Sequence, residues 1–107
     1  MKIGIDLGGS HIGLALIDNN IVEKVEIDLE KREDIEGYIM SILNYYIDKF
    51  VKNNNIELIG IASPGNPDNA NICITNIVNL GIEKLDLKPI SEKYNIPIKL
   101  KNDSKAA

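Results

Sequence analysis

The chain has 107 residues, of which 44% are hydrophobic and 26% are charged, a balance typical of one small globular domain. Its net charge of −4 argues against a nucleic-acid-binding surface. The chain has a single cysteine, no apolar stretch near the roughly 18 residues that span a bilayer, and no signal-peptide pattern. These features predict a cytoplasmic protein without a disulfide and without a membrane partner.

Residues 1–18 predict two strands joined by a glycine turn. A short apolar run ends in Asp6, and a second apolar run follows Gly8, Gly9 and Ser10. Two adjacent glycines can take φ > 0 and leave backbone N–H groups exposed, which favours an anion-binding nest. The carboxylate beside them suits Mg²⁺, held directly or through water. A plain Gly-Gly hairpin has the same pattern, so a metal–phosphate loop and a simple turn both remain open.

A meander of three strands is predicted at residues 2–6, 11–18 and 21–29, the last from alternating apolar and charged residues. The charge-rich segment 30–34 suits a helix N-terminus, and an apolar stripe at helical spacing follows it until three asparagines end the helix. The stripe comprises Ile35, Ile39, Ile42, Leu43, Tyr46 and Phe50. We assign Tyr46 to the core, with Tyr45 flanking it.

Residues 56–62 form a nearly continuous apolar run, typical of a strand that is covered on both faces. Because a helix precedes this strand, we expect it to lie parallel to the first strand. The rigid turn 63–68 follows at its carboxyl end, where ligands bind in open α/β sheets, and Gly65 would let a ligand approach the backbone. The alternative is a loop that only reverses the chain.

Residues 69–82 contain short apolar pieces that alternate with asparagines, and we assign no helix or strand to them. Asn76 and Asn79 can each donate and accept hydrogen bonds, which suits sugar hydroxyls, although asparagine is also a common loop residue. Cys73 is expected to be a small buried hydrophobe.

The last part of the chain predicts a second helix at 87–94 and a strand at 98–100. Asn102 and Asp103 follow that strand. An aspartate there is either a general base for a substrate hydroxyl or the N-cap of a helix that opens at Ser104. The order β-β-β-α-β-α-β predicts an α/β domain with a mixed sheet of about five strands and helices on its faces.

The motifs together resemble a known family. The stretch IGIDLGGSHIGLALID resembles the first phosphate motif of the actin-like, ribonuclease H-like sugar kinase superfamily. The stretches GIASPGNPD, NIVNLGI and KNDSKAA, in this order, resemble the GxxxPGxxD, NLGW-like and NDxNAA motifs in the N-terminal domain of ROK-family sugar kinases. The resemblance covers Lys2 to Ala107 and implies a ribonuclease H-like (actin-like ATPase) fold.

This resemblance implies a role for each matching residue. It implies a phosphate loop made of Gly8, Gly9 and Ser10. It implies sugar-hydroxyl contacts from Gly65, Asn79 and Asn102. Asp6 would lie near Mg²⁺, which it would hold through water. Asp103 would bind the sugar and act as the base that takes the proton from the acceptor hydroxyl, usually the C6 hydroxyl of a hexose.

Members of this family are roughly two to three times longer, as two domains require. We therefore expect residues 1–107 to be the N-terminal domain of a kinase that transfers the γ-phosphate of ATP to glucose or a related hexose with Mg²⁺, and to have little activity alone. One cysteine and one histidine cannot form the family's zinc site. The alternatives are a non-catalytic sugar-binding or sensor domain and an actin-like assembly domain. Apolar sheet surface left uncovered by a missing helix would favour a homodimer.

Overall fold

The computed structural model describes residues 1–103 of the chain. The first half contains three strands and a long helix: β1 (Lys2–Leu7), β2 (His11–Asp18), β3 (Asn20–Asp28) and α1 (Ile35–Asn53). The second half contains five strands, a 3₁₀ turn and a short helix: β4 (Leu58–Ser63), β5 (Asn66–Asp68), β6 (Cys73–Ile77), the 3₁₀ turn (Val78–Leu80), β7 (Ile82–Asp86), α2 (Lys88–Tyr94) and β8 (Ile98–Asn102).

The central sheet has five strands in the order β3-β2-β1-β4-β8. Strands β1 to β3 form an antiparallel meander, whereas β4 pairs in parallel with β1, and β8 pairs in parallel with β4. Helices α1 and α2 lie in the two crossovers that these parallel pairs require. The mixed five-stranded sheet predicted from the sequence is confirmed, and its strand limits differ from the prediction by one or two residues.

One face of the central sheet forms the core. Alternate residues of its strands are buried there, as the period of two in a strand requires: Ile3, Ile5, Leu7, Ile12, Leu14, Leu16, Ile59, Ile61, Ile98 and Leu100. The stripe on α1 joins the same core through Ile39, Leu43, Ile47 and Phe50, and α2 joins it through Ile90. Within residues 1–103, both helices therefore pack on a single face rather than on the two faces together.

The opposite face of the central sheet, which we call the open face, consists mainly of small residues. Gly4, Gly13, Ala15, Gly60 and Ala62 line a shallow depression of about 540 Å³ on it. These residues are partly exposed, and no helix in the described part of the chain covers them. The surface that we expected to be uncovered is thus present.

Local capping fixes both ends of α1 and the C-terminal end of α2. The Asp34 carboxylate accepts a hydrogen bond of 3.0 Å from the Gly37 N–H and forms the N-cap of α1. At the other end, the Asn54 side chain donates to the Phe50 carbonyl at 3.1 Å. Helix α2 ends at Asn95, whose left-handed conformation (φ 55°) places its N–H on the Ser91 carbonyl.

The three-stranded antiparallel sheet β5-β6-β7 is an addition to the sequence analysis, which placed no strand between the fourth strand and the second helix. Its signal is weak because β5 has only three residues, and because Ile72 and Asn76 take positive φ values of 54° and 55° at either end of β6. The expectation that Cys73 is a buried hydrophobe is confirmed, since the side chain is 4% exposed.

The central packing predicts a clear contrast between two isoleucines. Ile47→Ala should lower the free energy of unfolding by about 3 kcal/mol, because its side chain is fully buried (0% exposed) and truncation leaves a cavity. Ile21→Ala should lower it by less than about 1 kcal/mol, because Ile21 is 61% exposed. Urea unfolding of both variants measures the difference, and equal losses would contradict this description of the core.

Candidate functional site

The turn between β1 and β2 is closed by one backbone hydrogen bond, in which the Gly8 N–H donates to the His11 carbonyl at 2.8 Å. Neither Gly8 nor Gly9 has a positive φ, contrary to our expectation for this turn. Glycine at position 8 avoids a tight contact, because a Cβ there would lie 3.1 Å from the His11 oxygen. Gly9 and Ser10 are exposed, so their backbone and the Ser10 hydroxyl are accessible to a ligand.

Asp6 lies on β1, two residues before the turn, and its side chain is exposed on the open face. It stands beside Gly13 on β2 and Ala62 on β4, which leave space around the carboxylate. Residues 1–103 contain no group of three or more acidic, histidine or cysteine side chains that could hold a metal ion. A single carboxylate fits Mg²⁺ that keeps several waters, but it does not form a protein cage for the ion.

Gly65 occupies a position that only glycine tolerates. Its φ is +97°, and a Cβ would lie 2.6 Å from the Thr75 carbonyl oxygen on β6. The Gly65 carbonyl accepts a hydrogen bond of 2.5 Å from the Asn102 side chain at the end of β8. The PGNPD turn and the KND segment, 37 residues apart in the chain, are therefore in direct contact.

The 3₁₀ turn brings Asn79 against the glycine turn. The position of a Cβ on Gly9 would be 3.4 Å from Cβ and 3.6 Å from Nδ2 of Asn79. Gly81 ends this 3₁₀ turn in the left-handed conformation (φ 66°), and its N–H donates to the Val78 carbonyl at 3.1 Å. The candidate phosphate loop and a candidate sugar contact thus adjoin each other.

Asp103 follows β8 directly and is exposed. The strand registers place Asp6 in line with Ala62, and Ala62 in line with Lys101. Asp103 therefore lies two residues beyond the level of Asp6 and two strand spacings away, a lateral distance of about 10 Å. This separation leaves room for a phosphate group and an acceptor hydroxyl between the two carboxylates.

Besides Gly8 and Ser10 in the glycine turn, the predicted site residues form two neighbouring pairs and two separate carboxylates. Gly65 contacts Asn102, Gly9 adjoins Asn79, and Asp6 and Asp103 lie at the same edge of the sheet without a direct contact. Asn76, the second candidate for a sugar contact, is exposed on β6. The helix expected to open at Ser104 lies outside the described residues, so the N-cap alternative for Asp103 stays open.

Two polar residues, one at the end of the PGNPD turn and one directly after it, make contacts that the sequence analysis did not assign to them. The Asp68 carboxylate accepts hydrogen bonds from the Asn71 side chain (2.8 Å) and from the Asn71 N–H (3.2 Å), and these bonds lower the pKa of Asp68. The Asn69 side chain forms two hydrogen bonds with the backbone of Leu100 on β8. An Asp-x-x-Asn spacing is a turn signal that could have identified the first, whereas nothing in the sequence indicated the second.

Comparison with known proteins identifies one family. The model of the ROK family matches residues 2–107. Similar solved structures include a ROK hexokinase from Thermus thermophilus (25% identity, TM-score 0.76, 97% of this chain and 35% of that chain). They also include a ROK family glucokinase from Streptomyces griseus in complex with glucose and AMPPNP (19%, 0.75, 98% and 34%).

A further similar structure is a ROK family transcriptional regulator, a homologue of the E. coli MLC protein (17% identity, TM-score 0.79, 97% of this chain and 28% of that chain). The chain spans about a third of the length of these structures. No match was found among curated proteins. The shared fold is the ribonuclease H-like (actin-like ATPase) fold, as predicted.

No helix within residues 1–103 is long and apolar enough to cross a membrane.

The contact at Gly65 predicts a graded series of glycine substitutions. Gly65→Ala should lower the free energy of unfolding by at least about 2 kcal/mol, because it combines a disfavoured φ with a backbone clash. Gly81→Ala should cost about 1 kcal/mol, because it has a positive φ but open space around it. Gly60→Ala, with nothing within 4 Å of its Cβ and no positive φ, should cost close to nothing. Thermal or urea unfolding of the three variants tests this order, and equal stabilities would refute it.

Proposed function

The chain belongs to the ROK family, and on this premise we propose that residues 1–107 are the N-terminal domain of an ATP-dependent hexose kinase. The observation that carries the proposal is the hydrogen bond between Asn102 and Gly65, which joins two sugar-contact candidates beside an exposed Asp103. The glycine turn adjoins Asn79 at the same edge of the sheet, so a phosphate and a sugar would be neighbours there. The acceptor is glucose or a related hexose, and the protein acts in the cytoplasm.

The proposed reaction begins at the acceptor hydroxyl, which we take to be on C6 of the hexose. The Asp103 carboxylate accepts the proton of this hydroxyl while the hydroxyl oxygen forms a bond to the γ-phosphorus of ATP. The bond between the γ-phosphorus and the β–γ bridging oxygen breaks at the same time, and ADP leaves. Gly65 and Asn102, together with Asn79, orient the sugar. Most of the rate then comes from positioning rather than from covalent chemistry.

The phosphate side of the reaction belongs to the glycine turn and to Asp6. Exposed backbone at Gly9 and Ser10, with the Ser10 hydroxyl, would bind phosphate oxygens. Asp6 would hold Mg²⁺ through water, and that ion supplies charge neutralisation on the phosphates. The nucleotide also needs a second, ATP-binding domain, because the chain spans only about a third of the similar structures.

The second candidate function is a sugar-responsive, non-catalytic domain of the same fold. It is favoured by the similarity to the ROK family transcriptional regulator. Such a domain needs the sugar contacts at Gly65, Asn79 and Asn102 but has no use for a base. The carboxylate of Asp103 therefore favours the kinase. Replacing Asp103 and measuring the rate of sugar phosphorylation distinguishes the two functions.

We predict that the full-length protein carrying this chain phosphorylates glucose with ATP and Mg²⁺, and that Asp103→Asn lowers kcat by about 10²–10⁴-fold. Asp18→Asn is the matched control, because Asp18 is an exposed aspartate at the opposite end of the central sheet. A coupled assay of ADP release measures both variants. Full turnover in Asp103→Asn would remove Asp103 as the base. Glucose binding by calorimetry without phosphorylation in the wild type would instead support the non-catalytic domain.

The open face provides the surface for the homodimer that we propose for residues 1–107 on their own. Its floor is made of glycine and alanine, so another surface can approach closely. Its rim carries both signs of charge from Lys24, Glu26, Lys99 and Lys101. A second copy of the same face would cover this floor of small residues and leave the charged rim at the boundary of the interface.

We predict that residues 1–107 sediment as a dimer and that Gly60→Glu makes them monomeric. A Cβ at position 60 has nothing within 4 Å, and the depression above it has room for a longer side chain, so this variant should fold normally while filling the open face. Ser41→Glu, an equal change of charge on the exposed side of α1, should leave the dimer intact. Sedimentation equilibrium compares the three proteins, and a monomeric wild type would rule out this interface.

A further inference from the structure

Strand β8 is an edge strand of the central sheet, and the side chain of Asn69 binds its outer side. Along a parallel pair, successive residues direct their backbone groups alternately toward and away from the partner strand. The Leu100 N–H donates to Asn69 Oδ1 at 2.8 Å, and Asn69 Nδ2 donates to the Leu100 carbonyl at 3.2 Å. One primary amide thus takes the place that a residue of a neighbouring strand would occupy.

The same segment holds β8 at a second point, two residues further along. Gly65 and Asn69 flank β5, and the Gly65 carbonyl accepts the hydrogen bond from the Asn102 side chain. Strand β5 is therefore attached to β8 at both of its ends. It also pairs with β6, which leads into the 3₁₀ turn that carries Asn79.

A turn formed by residues 68–71 contains Asn69 and fixes the conformation of its backbone. Asp68 accepts two hydrogen bonds from Asn71, one from the backbone N–H and one from the side chain. Asn69 lies inside this turn, so its short side chain reaches β8 from a fixed backbone. Only an amide of this length offers a donor and an acceptor together at that place. An aspartate would set an oxygen against the Leu100 carbonyl, and an alanine would leave both Leu100 groups without this partner.

From these contacts we propose that Asn69 is a positioning residue for the sugar site. By holding Leu100 it fixes the end of β8, and with it the distance from Asn102 and Asp103 to Gly65 and Asn79. Asn69 itself contacts strand backbone, so its effect on the reaction passes through Asn102 and Asp103. The part of this proposal that concerns the sugar rests on the proposed hexose kinase function.

The first test is the hydrogen-exchange rate of the Leu100 amide, measured by NMR on the wild type, Asn69→Ala and the nearly isosteric Asn69→Asp. Asn69→Ala should lose about tenfold in protection at Leu100, because it removes the acceptor of the Leu100 N–H, while the Ile59 and Ile61 amides on β4 keep theirs. Asn69→Asp keeps an acceptor oxygen and should lose less protection than Asn69→Ala. Asn53→Ala is the matched control, because Asn53 is an exposed asparagine whose side chain donates to the Lys49 carbonyl on α1, away from β8. Unchanged protection of Leu100 in both Asn69 variants would overturn the proposal without bearing on the kinase activity.

The second test separates positioning from general loss of stability in the full-length protein. Asn69→Asp should lower kcat and raise the KM for glucose, with a combined loss of about 10- to 100-fold in kcat/KM, while the KM for ATP stays the same. A variant that loses Leu100 protection but keeps wild-type kinetics would overturn the positioning role. If the wild type has no kinase activity, the proposed function is wrong. In that case, a tenfold weaker affinity of Asn69→Asp for glucose, measured by calorimetry, would still support the role of Asn69 in positioning the sugar contacts.

Discussion

The parallel pairing of β1, β4 and β8 is the constraint on which the rest of the molecule depends. Each parallel pair requires a crossover, and the crossovers contain α1 and α2. Because parallel strands end at the same edge, Asp6, the turn at Gly65 and the pair Asn102–Asp103 all reach one edge of the sheet. Residues that lie almost a hundred positions apart are therefore neighbours for a topological reason, before any specific contact between them.

Most of the central sheet and both helices could be predicted from the sequence, because each has a strong periodic signal. Alternation along β3 and the apolar stripe on α1 each match a single structure. The three-stranded sheet β5-β6-β7 could not be predicted, because its formation depends on contacts with β8 and on two residues with positive φ. A hydrophobic pattern reveals neither of these features. The position of the glycine turn was predicted correctly but its conformation was not, since Gly8 avoids a tight contact with His11 and does not take a positive φ.

The candidate site was predicted through motifs rather than through physical pattern. Taken alone, Asp6, Gly65 and Asp103 each had an ordinary explanation as part of a turn or cap. Their combination resembles one family, whose model matches the chain, and that family's fold is shared by kinases and by a transcriptional regulator. The fold therefore does not decide between the two functions, and the decision depends on the chemistry of a few side chains at the sheet edge.

The amide of Asn69 has a consequence for solubility as well as for the site. An exposed edge strand is a template on which another chain can add a strand and begin aggregation. At Leu100 the outward N–H and C=O of β8 are already occupied, and Lys99 and Lys101 on either side are exposed charges. A foreign strand would have to displace the amide and bring its own backbone between two lysines. The contact that orders the end of β8 thus also blocks the growth of the sheet in that direction.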